Sequence, residues 1–160
     1  MPTTITPFLW FDDQAEEAAA LYTSIFNGSI TSENRWGPGA PFPEGSIMSV
    51  TFELAGGTYE AFNGGPDHPF TDSFSISVTV DTQEEVDDAW DRLLEGGGRP
   101  VACGWLCDRF GLSWQIVPKD LGELLGDPDP ERASRAMQAM LQMVKIDAAA
   151  LRAAADGVAS

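Results

Sequence analysis

The feature that most limits the fold of this 160-residue chain is an internal repeat. The segment Phe11–Glu16 matches Val80–Glu85 at an offset of 69 residues, and the match continues to a glycine in each copy. The identical pairs are Asp12 and Asp81, Gln14 and Gln83, Glu16 and Glu85, Ala20 and Ala89, and Gly28 and Gly97. A repeat of this kind predicts a duplicated structural module, so a duplicated fold takes priority over other folds.

The order of the predicted elements is the same in both copies. A strand is followed by an amphipathic helix and then by about three strands. Capping signals start the helices, at Asp12 or Asp13 ahead of Glu16 in the first copy and at Thr82 ahead of Glu85 in the second. The predicted strands lie at 5–11, 29–36, 48–54, 58–63, 73–80, 99–109 and 112–117. The pattern predicts an α+β fold built from two βαβββ modules, residues 1–66 and 70–118.

One face of each predicted sheet is left without helices, and this face is the candidate functional surface. In the first strand Ile5, Leu9 and Phe11 are expected to point toward the helix, because side chains alternate along a strand. The opposite side combines aromatic rings with small hydroxyls and one amide, a composition typical of a ligand pocket. The residues expected there are Thr6, Phe8, Trp10, Ser75, Ser77 and Gln115. The alternative is that Phe8 and Trp10 pack under a partner subunit or the C-terminal segment.

Charge and composition limit the classes of partner. The chain has 25 acidic and 9 basic residues, a net charge of −16, which argues against binding to nucleic acids or anionic membranes. It has no apolar run long enough to span a bilayer and no signal-peptide pattern at its start, so we expect a cytoplasmic protein. Cys103 and Cys107 are expected to be unpaired, and the single histidine, His68, cannot form a histidine metal cluster.

Residues 119–160 lie outside the repeat and are predicted to form a helical extension. Asp129 ahead of Pro130 is a helix start, and Asp147 begins a second, alanine-rich helix. An apolar stripe, expected to pack on a sheet or on a partner subunit, consists of Met137, Met140, Leu141 and Val144.

Four segments carry a resemblance to a known family. They are Ile5–Phe11, Phe62–Pro66, Cys103–Leu106 and Asp108–Pro118. These segments are similar to the PhnB-like branch of the vicinal oxygen chelate superfamily, which includes glyoxalase I, extradiol dioxygenases and fosfomycin- and bleomycin-resistance proteins. The resemblance extends into the Met-rich tail. It implies that the two modules pair into one glyoxalase-like domain, residues 1–118, with a cupped mixed sheet, in a homodimer.

The superfamily uses a divalent metal held by His and Glu side chains, and this chain departs from that pattern. The resemblance places Thr6 and Ser75 at the two first-strand ligand positions and Gln115 at the last-strand Glu position. Glu60 is the candidate for the remaining position. Neutral oxygens bind Zn, Ni or Fe poorly, so we expect no tight transition-metal site and no cofactor, while a weak divalent site stays open.

Members of this branch often carry the name 3-demethylubiquinone-9 3-methyltransferase. The sequence has no G-x-G-x-x-G segment after a strand, the loop that would hold the nucleotide part of S-adenosylmethionine. The sequence therefore argues against methyl transfer.

Three functional hypotheses follow. The first is a metal-free, homodimeric binding protein for a small molecule, its pocket lined by Thr6, Phe8, Trp10, Glu60, Phe62, Ser75, Ser77 and Gln115. The alternative is an enzyme, either a glyoxalase- or dioxygenase-like lyase that uses an atypical metal site or a metal-free isomerase. Glu60 would serve as its general base, with Asp67 and His68 nearby. The third is a dimeric scaffold whose helix-free face is covered by the C-terminal tail.

Overall fold

The computed structural model describes residues 2–158, and the chain divides into two compact units between Phe70 and Thr71. The first unit contains β1 Phe8–Phe11, α1 Ala15–Ile25, β2 Ser29–Arg35, β3 Ile47–Leu54 and β4 Gly57–Asn63. The second contains β5 Ser75–Val80, α2 Gln83–Leu94, β6 Arg99–Pro100, β7 Trp105–Cys107 and β8 Ser113–Pro118, followed by α3 Lys119–Leu125, α4 Pro130–Leu141 and α5 Ala148–Ala155. The predicted α+β fold with two βαβββ modules is confirmed.

Each module forms a four-stranded mixed sheet with the same pattern of pairing. The strand order is β1-β4-β3-β2 in the first sheet and β5-β8-β7-β6 in the second. The first strand of each module pairs in parallel with the last, and the other pairs are antiparallel. The repeat therefore extends from the sequence to the strand pairing. The joining of the two modules in one domain with a cupped sheet stays a prediction.

The core of the first unit lies between α1 and one side of its sheet. Small residues on α1 let the helix approach the strands closely, and Tyr22 fills the space beyond them. The buried residues of the helix are Ala15, Ala18, Ala19, Tyr22 and Ile25, and those of the strands include Leu9, Phe11, Val50, Phe52 and Ala61. The other side of this sheet is thereby left to the candidate site.

Strand β1 is shorter than the sequence predicts. It begins at Phe8, although the carbonyl oxygen of Pro7 already accepts a hydrogen bond from the Glu60 amide at 3.0 Å. Ile5 precedes the strand and is 88% exposed, so its expected place on the helix side is wrong. Thr6 also precedes the strand, because Pro7 has no amide hydrogen with which to extend the pairing.

The predicted cap of α1 is also wrong. The N-cap position of the helix is occupied by Gln14 rather than by Asp12 or Asp13, and the Gln14 side chain makes no capping hydrogen bond. Instead, the buried Asn63 side chain accepts a hydrogen bond from the Ala15 amide at 2.8 Å. Its amide group donates to the Ile47 carbonyl at 3.2 Å. A residue at the end of β4 therefore caps this helix.

The predicted cap of α2 is confirmed. The Thr82 hydroxyl accepts a hydrogen bond from the Glu85 amide, and the Glu85 carboxylate accepts one from the Thr82 amide. This reciprocal pair satisfies two backbone donors at the start of the helix. The apolar stripe behind it is buried and consists of Val86, Ala89, Trp90 and Leu93.

The predicted strand at 99–109 is divided into β6 and β7 by a tight turn. Cys103 and Gly104 both have positive φ angles, 58° and 84°, which a continuous strand does not allow. The Val101 amide donates to the Trp105 carbonyl across the turn at 2.9 Å. The turn sets the direction in which Trp105 enters the sheet.

The C-terminal extension forms a small core of its own within the second unit. Its helices begin as predicted at Asp129 and Asp147, whose side chains accept hydrogen bonds from backbone amides of the first turn. The buried apolar residues between α3, α4 and α5 are Leu121, Leu124, Ala136, Ile146, Leu151 and Ala155. The extension is thus a folded part of the second unit.

Gln83 at the start of α2 attaches the extension. Its side-chain amide group donates to the Ile146 carbonyl, and its side-chain oxygen accepts from the Ala148 amide, both at 2.9 Å. Lys145 Nζ lies 2.8 Å from the Oδ1 atom of Asp87, which is on α2 like Gln83. Hydrogen bonds from Lys145 and Gln83 lower the pKa of Asp87, so this contact is strongest above the usual carboxylate pKa and is lost as the pH falls through the lowered value.

The apolar stripe of α4 is only partly used in this packing. Met140 packs against the core of the extension, whereas Met137, Leu141 and Val144 remain 41%, 56% and 50% exposed. Met140 therefore packs among helices rather than on a sheet, and packing of the exposed residues on a partner subunit stays a prediction.

Within residues 2–158 no helix is both long and apolar enough to cross a membrane.

Candidate functional site

The helix-free face of the first sheet carries a group of aromatic side chains, as the alternation of β1 predicts. The ring centroid of Phe62 lies 5.3 Å from that of Phe8 and 4.9 Å from that of Trp10. Phe8 is 53% exposed, whereas Leu9 and Phe11 on the helix side are each 2% exposed. Rings of this size on a sheet surface without a covering helix offer a stacking platform for a ligand.

Three further rings extend this group, and the sequence did not place them there. Trp36 stacks on Phe42 with centroids 4.9 Å apart, and its ring also contacts Phe62 at 5.9 Å. His68 lies edge to face with Trp10 at 4.7 Å. The sequence signal for Trp36 and Phe42 is that these two aromatic residues flank the Pro- and Gly-rich segment 37–41. The six rings are called the aromatic group: Phe8, Trp10, Trp36, Phe42, Phe62 and His68.

Two glycines fix the position of Trp10. The indole Nε1–H of Trp10 donates to the Gly65 carbonyl at 2.9 Å. A Cβ atom on Gly64 would lie 2.2 Å from the Trp10 ring and 2.5 Å from the Phe62 ring. Only a residue without a side chain therefore fits at position 64, which explains the Gly-Gly pair in the segment Phe62–Pro66.

The corresponding face of the second sheet is polar. The Gln115 side-chain amide donates to the Ser75 hydroxyl at 3.0 Å. Ser77 is exposed and lies directly opposite Gln115 in the register of β5 and β8. Trp105 is half-buried and is the cross-strand neighbour of Gln115 on β7. This face therefore combines hydrogen-bonding groups with one large ring.

Strand register relates Glu60 to Gln115. Phe8 pairs with Glu60 in the first sheet, and Ser77 pairs with Gln115 in the second. Phe8 and Ser77 are equivalent positions of the repeat. Glu60 and Gln115 are therefore equivalent positions of the two sheets too. The role of Glu60 in a site stays a prediction.

The residues that the resemblance assigns to the superfamily's metal positions do not fit a transition metal. Gln115 and Ser75 are hydrogen-bonded to each other, and Thr6 lies outside β1. No three His, Cys, Asp or Glu side chains within the described part of the chain lie close enough to hold a metal ion. Hydroxyl and amide oxygens are weak ligands for Zn, Ni or Fe, so Glu60 is left as the one anionic donor at these positions.

The most specific motif, Asp108–Pro118, has a structural role around one carboxylate. Asp108 is 3% exposed, and its side chain accepts hydrogen bonds from the Phe110 and Leu112 amides at 2.9 and 3.0 Å. It also accepts one from the indole Nε1–H of Trp114 at 2.9 Å. The Arg109 guanidinium lies 4.6 Å from the centre of the Phe110 ring. The motif thus builds the turn that positions β8 and Gln115.

Both cysteines are free thiols, as expected. Cys107 is buried opposite Ser113 in the register of β7 and β8. Burial raises the pKa of the Cys107 thiol, so the nucleophilic thiolate is disfavoured there. Cys107 is therefore part of the packing near the polar face.

Comparisons with known proteins agree on one family. The family described as 3-demethylubiquinone-9 3-methyltransferase matches residues 3–117. The match ends before α3, so the expected extension of the resemblance into the tail stays a prediction. A PhnB protein from Bacillus cereus, whose description also names this methyltransferase, is 33% identical with a TM-score of 0.66. The comparison covers 72% of this chain and 99% of that one.

Two more solved structures share the fold. A protein from Pseudomonas aeruginosa is 24% identical with a TM-score of 0.61, over 73% of this chain and 98% of that one. The fosfomycin resistance protein FosX from Listeria monocytogenes, solved with Mn(II) and sulfate, is 17% identical with a TM-score of 0.50, over 72% and 89%. No curated protein matches the chain. The chain therefore belongs to the family described as 3-demethylubiquinone-9 3-methyltransferase, a PhnB-like branch of the vicinal oxygen chelate superfamily.

Proposed function

We propose that this protein binds a small, largely planar molecule through the helix-free faces of its sheets, without a metal ion. The observation that carries the proposal is the contact of Phe8, Trp10 and Phe62 on the side of the first sheet opposite α1. Exposed rings cost free energy in water, and a ligand stacked on them recovers it. Thr6 and Glu60 are proposed to complete this part of the pocket.

The polar face of the second sheet is proposed to orient the ligand. Gln115 and Ser75 can exchange their mutual hydrogen bond for bonds to a ligand carbonyl or hydroxyl, and the exposed Ser77 offers a further donor. Gln115, Ser75 and Ser77 are neutral, so on this face they suit an uncharged part of the ligand. The grouping of these residues with the aromatic group in one pocket stays part of the proposal.

The family description does not establish which reaction, if any, this protein catalyses. The superfamily's metal chemistry would need donors that Thr6, Ser75 and Gln115 do not provide, and methyl transfer would need a nucleotide-binding loop that the sequence lacks. Binding without turnover therefore fits these residues better than either activity. We further propose a homodimer in the cytoplasm, where the two free thiols would stay reduced, with no nucleic acid or membrane partner for so acidic a chain.

A neutral planar probe tests the role of Trp10. We expect 2-naphthol to bind the wild-type protein saturably. The dissociation constant is measured from the change in the NMR amide shifts of Glu60, Ala61 and Phe62 during a titration. The substitution Trp10→Ala should weaken binding by about tenfold or more, because stacking area and edge-to-face contact are lost. Trp10→Phe should weaken it less.

Phe74→Ala is the matched control, because Phe74 is a 45% exposed ring outside the aromatic group. We expect this variant to bind 2-naphthol like the wild type. Equal binding by Trp10→Ala and the wild type, or an equal loss in Phe74→Ala, would contradict the assignment.

A further inference from the structure

A cleft of the first unit lies between the start of α1 and the segment that joins β2 to β3, beside the aromatic group. Its volume is about 500 Å³, within the range of ligand-binding clefts. Its lining residues are Asp12, Asp13, Glu16, Trp36, Phe42, Pro43, Ser46, Ile47 and Asn63. Four of them are apolar and three are carboxylates, so the cleft combines a ring-lined wall with an anionic rim.

The ring-lined wall is held in place by hydrogen bonds of the connecting segment. The Trp36 amide donates to the Ser46 carbonyl at 2.9 Å, and the Gly45 amide donates to the Trp36 carbonyl at 2.8 Å. Arg35 Nη1 donates to the Gly45 carbonyl at 2.9 Å. These bonds close the segment and keep Trp36 stacked on Phe42. The cleft is therefore preformed, and a ligand would not have to order it.

The charge of the cleft favours a cation over an anion. The start of a helix carries only about half a positive charge, whereas Asp12, Asp13 and Glu16 carry three negative charges at neutral pH. The Ala15 amide, a helix-end donor that could bind an anion, is already used by Asn63. No Lys, Arg or His is among the nine lining residues.

We propose that this cleft binds a small organic ammonium ion, with its alkyl groups against Trp36 and Phe42 and its charge toward the three carboxylates. Aromatic faces attract such cations, and the attraction grows where water is partly excluded. An inorganic cation would gain little binding free energy from the apolar walls. An alkylammonium ion would contact the aromatic wall with its alkyl groups and the carboxylates with its charge. This cleft adjoins the platform of Phe8, Trp10 and Phe62 and shares the rings of Trp36 and Phe42 with the aromatic group.

Choline and its uncharged isostere, 3,3-dimethyl-1-butanol, test the proposal because they differ in charge at nearly equal shape. Each is titrated into ¹⁵N-labelled full-length protein at constant ionic strength, and the indole Nε1–H signal of Trp36, assigned with Trp36→Phe, is followed. We expect a saturable shift with choline and none with the alcohol. Asp12→Asn, Asp13→Asn and Glu16→Gln should each weaken choline binding by about two- to fivefold, as expected for exposed charge pairs.

The matched control is Glu53→Gln, which removes an exposed carboxylate of the same unit that does not line the cleft. We expect it to bind choline like the wild type. No saturable shift with choline, an equal shift with the alcohol, or an equal loss in Glu53→Gln would each overturn the proposal. Circular dichroism of every variant confirms that the unit is folded.

Discussion

Replacing Asp108 with alanine is expected to lower the free energy of unfolding by about 3–5 kcal/mol. The Asp108 carboxylate is buried and accepts three hydrogen bonds, from the Phe110 amide, the Leu112 amide and the Trp114 indole. Without it, two buried donors and one part-buried donor lose this partner at once. Hydrogen bonds to a charged group are worth more than neutral ones, and orphaned buried donors carry the full cost of desolvation.

Urea unfolding followed by far-UV circular dichroism measures this effect. Asp108→Asn should lie between the alanine variant and the wild type, because it keeps the shape but loses the charge and one acceptor oxygen. Asp91→Asn, an exposed carboxylate on α2, is the matched control and should change stability by less than about 0.5 kcal/mol. A loss below about 1 kcal/mol for Asp108→Ala would show that the carboxylate does not hold the turn.

Replacing Gly64 with alanine is expected to disturb both stability and binding. The added Cβ would lie 2.2 Å from the Trp10 ring, a distance that forces the indole to move. Overpacking of this kind costs about 1–3 kcal/mol of unfolding free energy. Moving the indole would also break its hydrogen bond to Gly65 and weaken 2-naphthol binding as strongly as Trp10→Ala.

Gly37→Ala is the control for Gly64→Ala. Gly37 has no positive φ angle, and nothing lies within 4 Å of a Cβ atom built there. This variant should keep the wild-type urea midpoint and the wild-type affinity for 2-naphthol. If Gly64→Ala also kept the wild-type urea midpoint and the wild-type affinity for 2-naphthol, the close packing of Trp10 against Gly64 would not be needed for stability or for binding.

Local signals explain which parts of the fold could be predicted from the sequence. The alternation of Leu9 and Phe11 with Phe8 and Trp10 gave the two sides of β1 correctly, since side-chain direction in a strand depends only on position. Thr82 and Glu85 form the predicted capping box because both partners lie within one helical turn. The repeat gave the order of elements in both modules.

Contacts between distant residues explain what the sequence missed. The cap of α1 comes from Asn63, 48 residues away, and no local pattern reports such a partner. Trp36 joins Phe62 only because the segment between β2 and β3 closes on itself, and Trp105 turns toward Gln115 only because of the turn at Cys103. Tertiary contact decides these positions.

Native mass spectrometry of the untagged protein, before and after addition of equimolar Zn²⁺, tests the central claim most directly. We predict a dimer mass without stoichiometric metal in either sample. A small molecule retained by the protein would identify the class of ligand. One metal ion bound per chain would contradict it. That result would mean that Glu60 and the neutral groups at Thr6, Ser75 and Gln115 hold a metal ion, and that the protein shares the metal-dependent chemistry of its superfamily.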